Sequence, residues 1–203
     1  MEKFSDKVIN RLTLYHCILV DFLDREIPYI SCGQFAKLLK IDTSEVCKDI
    51  SLLNNFDKND DKYPVRELKT AIEKTLGFAK NQKAFIVGAG NLGLALAKYD
   101  DFKSYGLNIL ALFDNDRKKI GTTVNNKVIL DISKLPNLAK KSEVDIAILT
   151  VPKKYAQVMA DFLVASGIKY IWNFAPVVLC VPENVQVWNE NIMGNLLQFT
   201  YDI

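Results

Sequence analysis

Gly88-Ala89-Gly90-Asn91-Leu92-Gly93 spells G-x-G-x-x-G, directly after the apolar run Phe85-Ile86-Val87 and directly before an apolar-periodic stretch. In that setting the first glycine permits a tight turn. The second lets a pyrophosphate approach the backbone, and the third lets a helix pack on the strand. The N–H groups at the helix start then face the phosphates. The motif alone is weakly specific, and Asp114 strengthens it. That acid closes the next apolar run, 21 residues after Gly93. A carboxylate there accepts hydrogen bonds from the ribose hydroxyls and repels a 2′-phosphate, so the site should take NAD or NADH in preference to NADP.

A hydride-transfer enzyme would also need an acid or base beside the reacting carbon. His16 is the single histidine and lies in the N-terminal helical pattern, where a solvated or capping role is expected. Tyr99 and Lys103 have the Tyr-x-x-x-Lys spacing of short-chain dehydrogenases, but they follow the first helix of the domain and not a later strand end. No length is left for a substrate domain, so no catalytic residue is assigned and a non-enzyme is expected. The four cysteines, Cys17, Cys32, Cys47 and Cys180, form no CxxC pair, and one histidine is too few for a usual zinc set. Reduced, mostly buried thiols and no metal are expected.

The elements that must position these residues fall into two groups. Val8, Leu12, Tyr15, Leu19 and Phe22 recur at steps of four and three, one face of a helix. Ser31 with Gln34 spells a capping box that opens a short helix through Phe35, Leu38 and Leu39. Asp42 with Glu45 is placed to cap the next, whose inner face is Val46, Ile50 and Leu53. Two short helices joined by a tight turn make a helix-turn-helix. The polar stretch NNFDKNDDK reads as a loop or wing, and Pro64 suits the first turn of a fourth helix. From Ala84 the grammar changes. AFIV, NILALF, VDIAILTV and IKYIWNF read as strands, with helical stretches between them. That alternation indicates a parallel α/β sheet buried on both faces. Ligands of such sheets sit at the carboxyl ends of strands, so Thr150, Val151 and Pro152, with Asn173, Phe174, Ala175 and Pro176, are expected to line the far half of the site. The terminal stretch is apolar at Ile192, Met193, Leu196, Leu197, Phe199 and Tyr201, a band that needs cover from outside its own domain.

The expected architecture is α/β: a winged-helix domain over 1–79, a Rossmann domain over 80–188 and a C-terminal helix over 189–203. Apolar residues make up 49% of the 203 and charged residues 25%, an ordinary globular balance. No run of about 18 apolar residues suggests a membrane span. MEKFSDKVIN lacks the apolar region of a signal peptide, so a cytoplasmic protein is expected. The formal charge of +2 belongs to the second domain, because residues 1–80 carry 13 Lys+Arg against 13 Asp+Glu. A neutral domain can bind DNA only if its charges are segregated by face.

The order of winged helix, FIVGAGNLGLAL, FDND, DIAILTVP, NFAPV and terminal helix resembles the Rex family of redox-sensing transcriptional repressors over nearly the whole chain. The resemblance implies NAD or NADH at Gly88, Gly90, Gly93, Asp114, Asp116, Lys119, Thr150, Pro152, Asn173 and Pro176, and the glycine motif and strand ends add Ala89, Asn91, Leu92, Asn115, Val151 and Phe174 to the expected site. It implies release from operator DNA by NADH, and a homodimer in which C-terminal helices are exchanged. It places DNA contacts at Ser31, Lys37, Ser44, Lys48 and Lys58. A coupling set that is Arg-Tyr-Asp in the family falls here on Cys17, Tyr99 and Asn191, with Ile192 at the subunit interface. The recognition helix departs from the family's Q-V-R-K-D-L-S, reading Glu45-Val46-Cys47-Lys48-Asp49-Ile50-Ser51, and the wing holds Asp57, Asp60 and Asp61. Two readings follow: a repressor with altered operator preference, or an NAD(H)-binding paralogue that has lost operator binding and acts through protein partners.

Overall fold

Leu12, Tyr15, Leu19 and Phe22 turn to one side of α1 (Asp6–Asp24) and are buried there. The computed structural model describes residues 4–53 and 62–201. The chain divides into two compact units, Met1–Ala79 and Lys80–Ile203. In the first, α1 is followed by β1 (Tyr29–Ser31), α2 (Cys32–Leu39), α3 (Thr43–Ser51), β2 (Lys62–Pro64) and α4 (Val65–Leu76). Phe35, Val46, Ile50, Leu68 and Ile72 join the α1 residues in one core. β1 and β2 pair antiparallel, with Ile30 opposite Tyr63, so the segment expected merely to break the first helix carries a strand.

The Ser31–Gln34 capping box is present in both directions. Asp42 is the N-cap of α3, but its side chain makes no capping bond, contrary to expectation. Pro64 stands at the N-cap of α4 and not inside its first turn. His16, expected from sequence to be solvated or capping, is instead buried, 5% exposed. Its Nε2 lies 3.0 Å from Glu73 Oε1, and its ring meets the edge of Phe78. It ties α1 to α4. Burial alone would raise the Glu73 pKa, but hydrogen bonds from Lys69 and His16 outweigh it and hold that carboxyl below its ordinary range.

The second unit is a seven-stranded sheet in the order β5-β6-β4-β3-β7-β8-β9. Its strands are β3 (Gln82–Val87), β4 (Leu107–Asp114), β5 (Thr123–Val124), β6 (Lys127–Asp131), β7 (Ile146–Leu149), β8 (Tyr170–Asn173) and β9 (Gln186–Asn189). All neighbours are parallel except β5 and β6. Leaving out β5, this is the doubly wound order of dinucleotide-binding folds, reversing between β3 and β7. Alternate residues serve opposite faces. Phe85, Phe113 and Leu149 pack under α6 (Leu135–Ser142) and α7 (Lys153–Ala165). Ile86, Leu112 and Ile148 pack on the other face with Ala97 of α5 (Asn91–Lys98). The β5–β6 hairpin was not read from the sequence. It turns on Asn125 and Asn126, both at positive φ (48° and 60°), the conformation of a two-residue hairpin loop.

Arg11 fastens α3 to α1. Its Nε donates to Asp49 Oδ2 at 2.6 Å and its Nη2 to Oδ1 at 2.8 Å, while the Tyr15 hydroxyl donates to Oδ2 at 2.9 Å. Asp49 is 2% exposed. Removing one partner of such a pair leaves an uncompensated buried charge. Arg11→Met should therefore lower the unfolding free energy by about 3 kcal/mol. A loss below about 1 kcal/mol in urea denaturation would show that the pair is not a main support of this unit.

Candidate dinucleotide site

A cleft of about 810 Å³ opens where the strand order reverses, at the carboxyl ends of β3, β4 and β7. The glycine turn forms one wall. Gly88 has φ +104°, and a Cβ there would lie 2.9 Å from the Thr150 carbonyl oxygen. A Cβ on Gly93 would fall 2.0 Å from the Gly88 carbonyl oxygen, so α5 crosses β3 at a distance only glycine allows. A Cβ on Gly90 would meet nothing within 4 Å. The space above the second glycine is thus open, as the approach of a pyrophosphate requires. Gly90 is also the N-cap of α5 and offers no side-chain acceptor, so the first-turn N–H groups remain for an anion. The Thr150 hydroxyl donates to the Gly88 carbonyl at 2.7 Å and ties the end of β7 to the turn.

Asp114 ends β4 beside the glycine turn. Its Oδ2 accepts from the Ala89 N–H at 2.8 Å, and its Oδ1 from the Asp116 N–H at 2.9 Å. Lys119 Nζ lies 3.3 Å from Oδ2 and 4.0 Å from Asp116 Oδ2. Burial would raise the Asp114 pKa, but the two backbone donors and the Lys119 ammonium outweigh it and hold the carboxyl below its ordinary range. Asp114 is therefore anionic at neutral pH. Two carboxylates face one ammonium, so the corner keeps net negative charge against a 2′-phosphate. Oδ1 accepts one bond, from Asp116 N–H, and keeps acceptor capacity for a ribose hydroxyl.

Of the residues named from sequence, Gly88, Gly90, Leu92, Asp114, Asn115, Asp116, Lys119, Thr150, Val151, Pro152 and Phe174 line this cleft. Ala89 and Gly93 are buried behind it, and Asn91 is exposed on α5. Asn173 and Pro176 do not line it. The Asn173 side chain is fully buried: its amide donates to Val177 O and Asn189 Oδ1, both at 2.8 Å, and its oxygen accepts from Ala175 N. It pins the loop that begins with Phe174 instead of facing the cleft. Pro176 is exposed. The sequence reading missed Ile132, Tyr155, Val158 and Met159, which also line the cleft. The last three stand at steps of three and one on α7, directly after Pro152, and that spacing was the available signal.

In the other unit, Lys37, Ser44 and Lys48 are exposed on α2 and α3, while the Ser31 hydroxyl serves its own helix cap. Lys58 and the acids Asp57, Asp60 and Asp61 lie outside the described residues. Cys17 and Cys180 are exposed, against the expectation of mostly buried thiols, whereas Cys32 is buried. Burial, reinforced by the neighbouring Cys47, pushes the Cys32 thiol up to about 11. Tyr99 is exposed and stacks edge-on against Phe102. Asn191 accepts from Gly194 N at 2.9 Å and so caps α8 (Ile192–Tyr201), whose first residue, Ile192, is 56% exposed. No helix among the described residues is long and apolar enough to cross a membrane.

Residues 79–177 match the family model described as "CoA binding domain", and residues 3–51 match "Putative DNA-binding protein N-terminus". The chain is 37% identical to the "Redox-sensing transcriptional repressor Rex" of Clostridium beijerinckii, covering 99% of this chain and 97% of that one. It is 38% identical to the protein of the same description from Desulfitobacterium hafniense, covering 99% and 96%. A solved structure described as "RSP in complex with beta-NAD+ and operator DNA" superposes with TM-score 0.90 at 33% identity, covering 100% of this chain and 93% of that one. One described as "RSP in complex with beta-NADH" gives 0.88 at 32%, covering 100% and 95%.

Because the Asp114 pKa is depressed on folding, its carboxylate contributes stability above the unfolded-state value of about 3.9, and that contribution is lost as pH falls through the folded value. The stability gap between the wild type and Asp114→Asn should therefore be full at pH 6 and should close as the pH falls below about 4. A gap that stays constant down to pH 2 would contradict the folded-state geometry of this carboxylate.

Proposed function

The chain belongs to the Rex family of redox-sensing transcriptional repressors, and on that premise we propose that it holds NAD or NADH in the 810 Å³ cleft and binds operator DNA through its helix-turn-helix. The observation that carries the cofactor half is the anionic Asp114 lining the same cleft as the open space over Gly90. The ribose diol binds at Asp114, the pyrophosphate lies over Gly90 at the start of α5, and the nicotinamide reaches toward Thr150, Pro152 and Phe174. These polar groups bind and orient, and none is assigned as a proton donor or base. The reading is of a regulator and not an enzyme.

The repressor reading is preferred to that of a paralogue without operator binding, because the full-length relatives are repressors and because α3 presents Ser44 and Lys48 on its exposed face. Occupation by NADH weakens the operator complex, and NAD⁺ permits it. Cys17, Tyr99 and Asn191 are proposed to couple the two states. A homodimer with exchanged C-terminal helices accounts for α8. None of its described side chains is buried, and Met193, Leu197 and Phe199 are 59%, 64% and 67% exposed. An apolar face of that kind is rarely left open on a soluble monomer.

Three measurements test these readings. NADH should bind more tightly than NADPH, and Asp114→Ala should shrink that preference. Equal affinity of the wild type for both would remove the Asp114 assignment. In salt-titrated operator isotherms, NADH should raise the apparent Kd at least tenfold over NAD⁺, and identical isotherms with the two cofactors would contradict redox sensing. Deletion of residues 189–203 should abolish the dimer or make the protein insoluble. A soluble deletion variant that remains dimeric would remove α8 from the interface.

A further inference from the structure

The recognition helix carries an acid where DNA-facing surfaces usually carry bases. Val46, Asp49 and Ile50 set the buried face of α3. At roughly 100° per residue, Ser44 and Lys48 lie opposite that face, and Glu45 borders them on the side that Asp49 turns to Arg11. Glu45 is in the first turn of α3, the part of a recognition helix that meets base edges in the major groove. Its side chain is 51% exposed. Arg11 Nη1 stands 3.8 Å from Glu45 Oε1, beyond hydrogen-bond length, while Nε and Nη2 of the same guanidinium are engaged by Asp49. The carboxylate is thus steadied by a fixed cation without losing its lone pairs to it.

We propose that Glu45 is a specificity-determining residue of the operator contact, accepting a hydrogen bond from the N4 amine of a cytosine in each half-site. In the major groove only cytosine N4 and adenine N6 offer donors. Guanine presents O6 and N7, and thymine O4 and a methyl group, so a carboxylate against either is left unpaired. The acid therefore narrows the set of sequences bound, and Arg11 offsets part of its repulsion from the phosphates. Lys48 is three residues further on and supplies the opposite preference, for guanine acceptors or phosphate. This inference rests on the operator-binding reading.

The test is a set of operator-like palindromes in which each half-site base pair is changed in turn, bound at one fixed salt concentration by wild type, Glu45→Gln and Glu45→Ala. Wild type should favour cytosine over guanine at one position per half-site by about 5- to 100-fold. Glu45→Gln should shift that position toward adenine, Glu45→Ala should flatten it, and preferences elsewhere should persist. Thermal unfolding midpoints should match the wild type, because the side chain is half-exposed. Identical base preferences in all three proteins, or a uniform gain in affinity with no change of preference, would overturn the assignment and leave the operator reading intact. Failure of every protein to bind any duplex would overturn both.

Discussion

The crossing of α5 over β3 is the constraint on which the second unit depends. Gly93 approaches the Gly88 carbonyl so closely that one added methyl group would overlap it. Gly88 in turn sits beneath the Thr150 backbone in a left-handed conformation. Two strand ends and one helix start are thereby drawn to a single point, the place where the sheet order reverses. The open volume beside that point is a consequence. Helix and strand cannot separate without exposing Ile86, Leu112 and Ala97, and they cannot approach further because the backbones already touch.

Around that crossing, polar side chains first hold loops and only then face the cleft. Asp114 braces the glycine turn through Ala89 and its own following loop through Asp116. Thr150 closes the gap between β7 and the turn. Asn173 is withdrawn into the protein to fix residues 175–177 and leaves Phe174 at the wall. A site built this way is formed before any ligand arrives, which limits the ordering cost of binding.

The first unit solves a comparable problem with charge. α3 is short, and its buried residues are Val46, Asp49 and Ile50, with Cys47 partly buried beside them. The Arg11–Asp49 fork, with Tyr15 as a third donor, fixes its direction as well as its depth, since two parallel hydrogen bonds resist rotation. Desolvation of so buried a pair offsets much of its attraction, so its main contribution is to orientation.

What the sequence determined by itself was local or periodic. The glycine spacing with Asp114 located the turn and its acid, because each glycine answers a backbone requirement within a few residues. The Ser31–Gln34 box was legible for the same reason, being a reciprocal bond across three residues. The strand–helix alternation gave the parallel sheet. Only the tertiary structure decided which faces meet. It turned Tyr155, Val158 and Met159 of α7 toward the cleft and Asn173 away from it. It buried His16 against Glu73, and it paired Arg11 with Asp49, 38 residues away. The β5–β6 hairpin had a signal in Asn125-Asn126, two residues that tolerate positive φ, but its strands are too short for a period to show. A side chain's partner depends on how elements far apart in the chain are stacked, and periodicity fixes only which side of its own element it occupies.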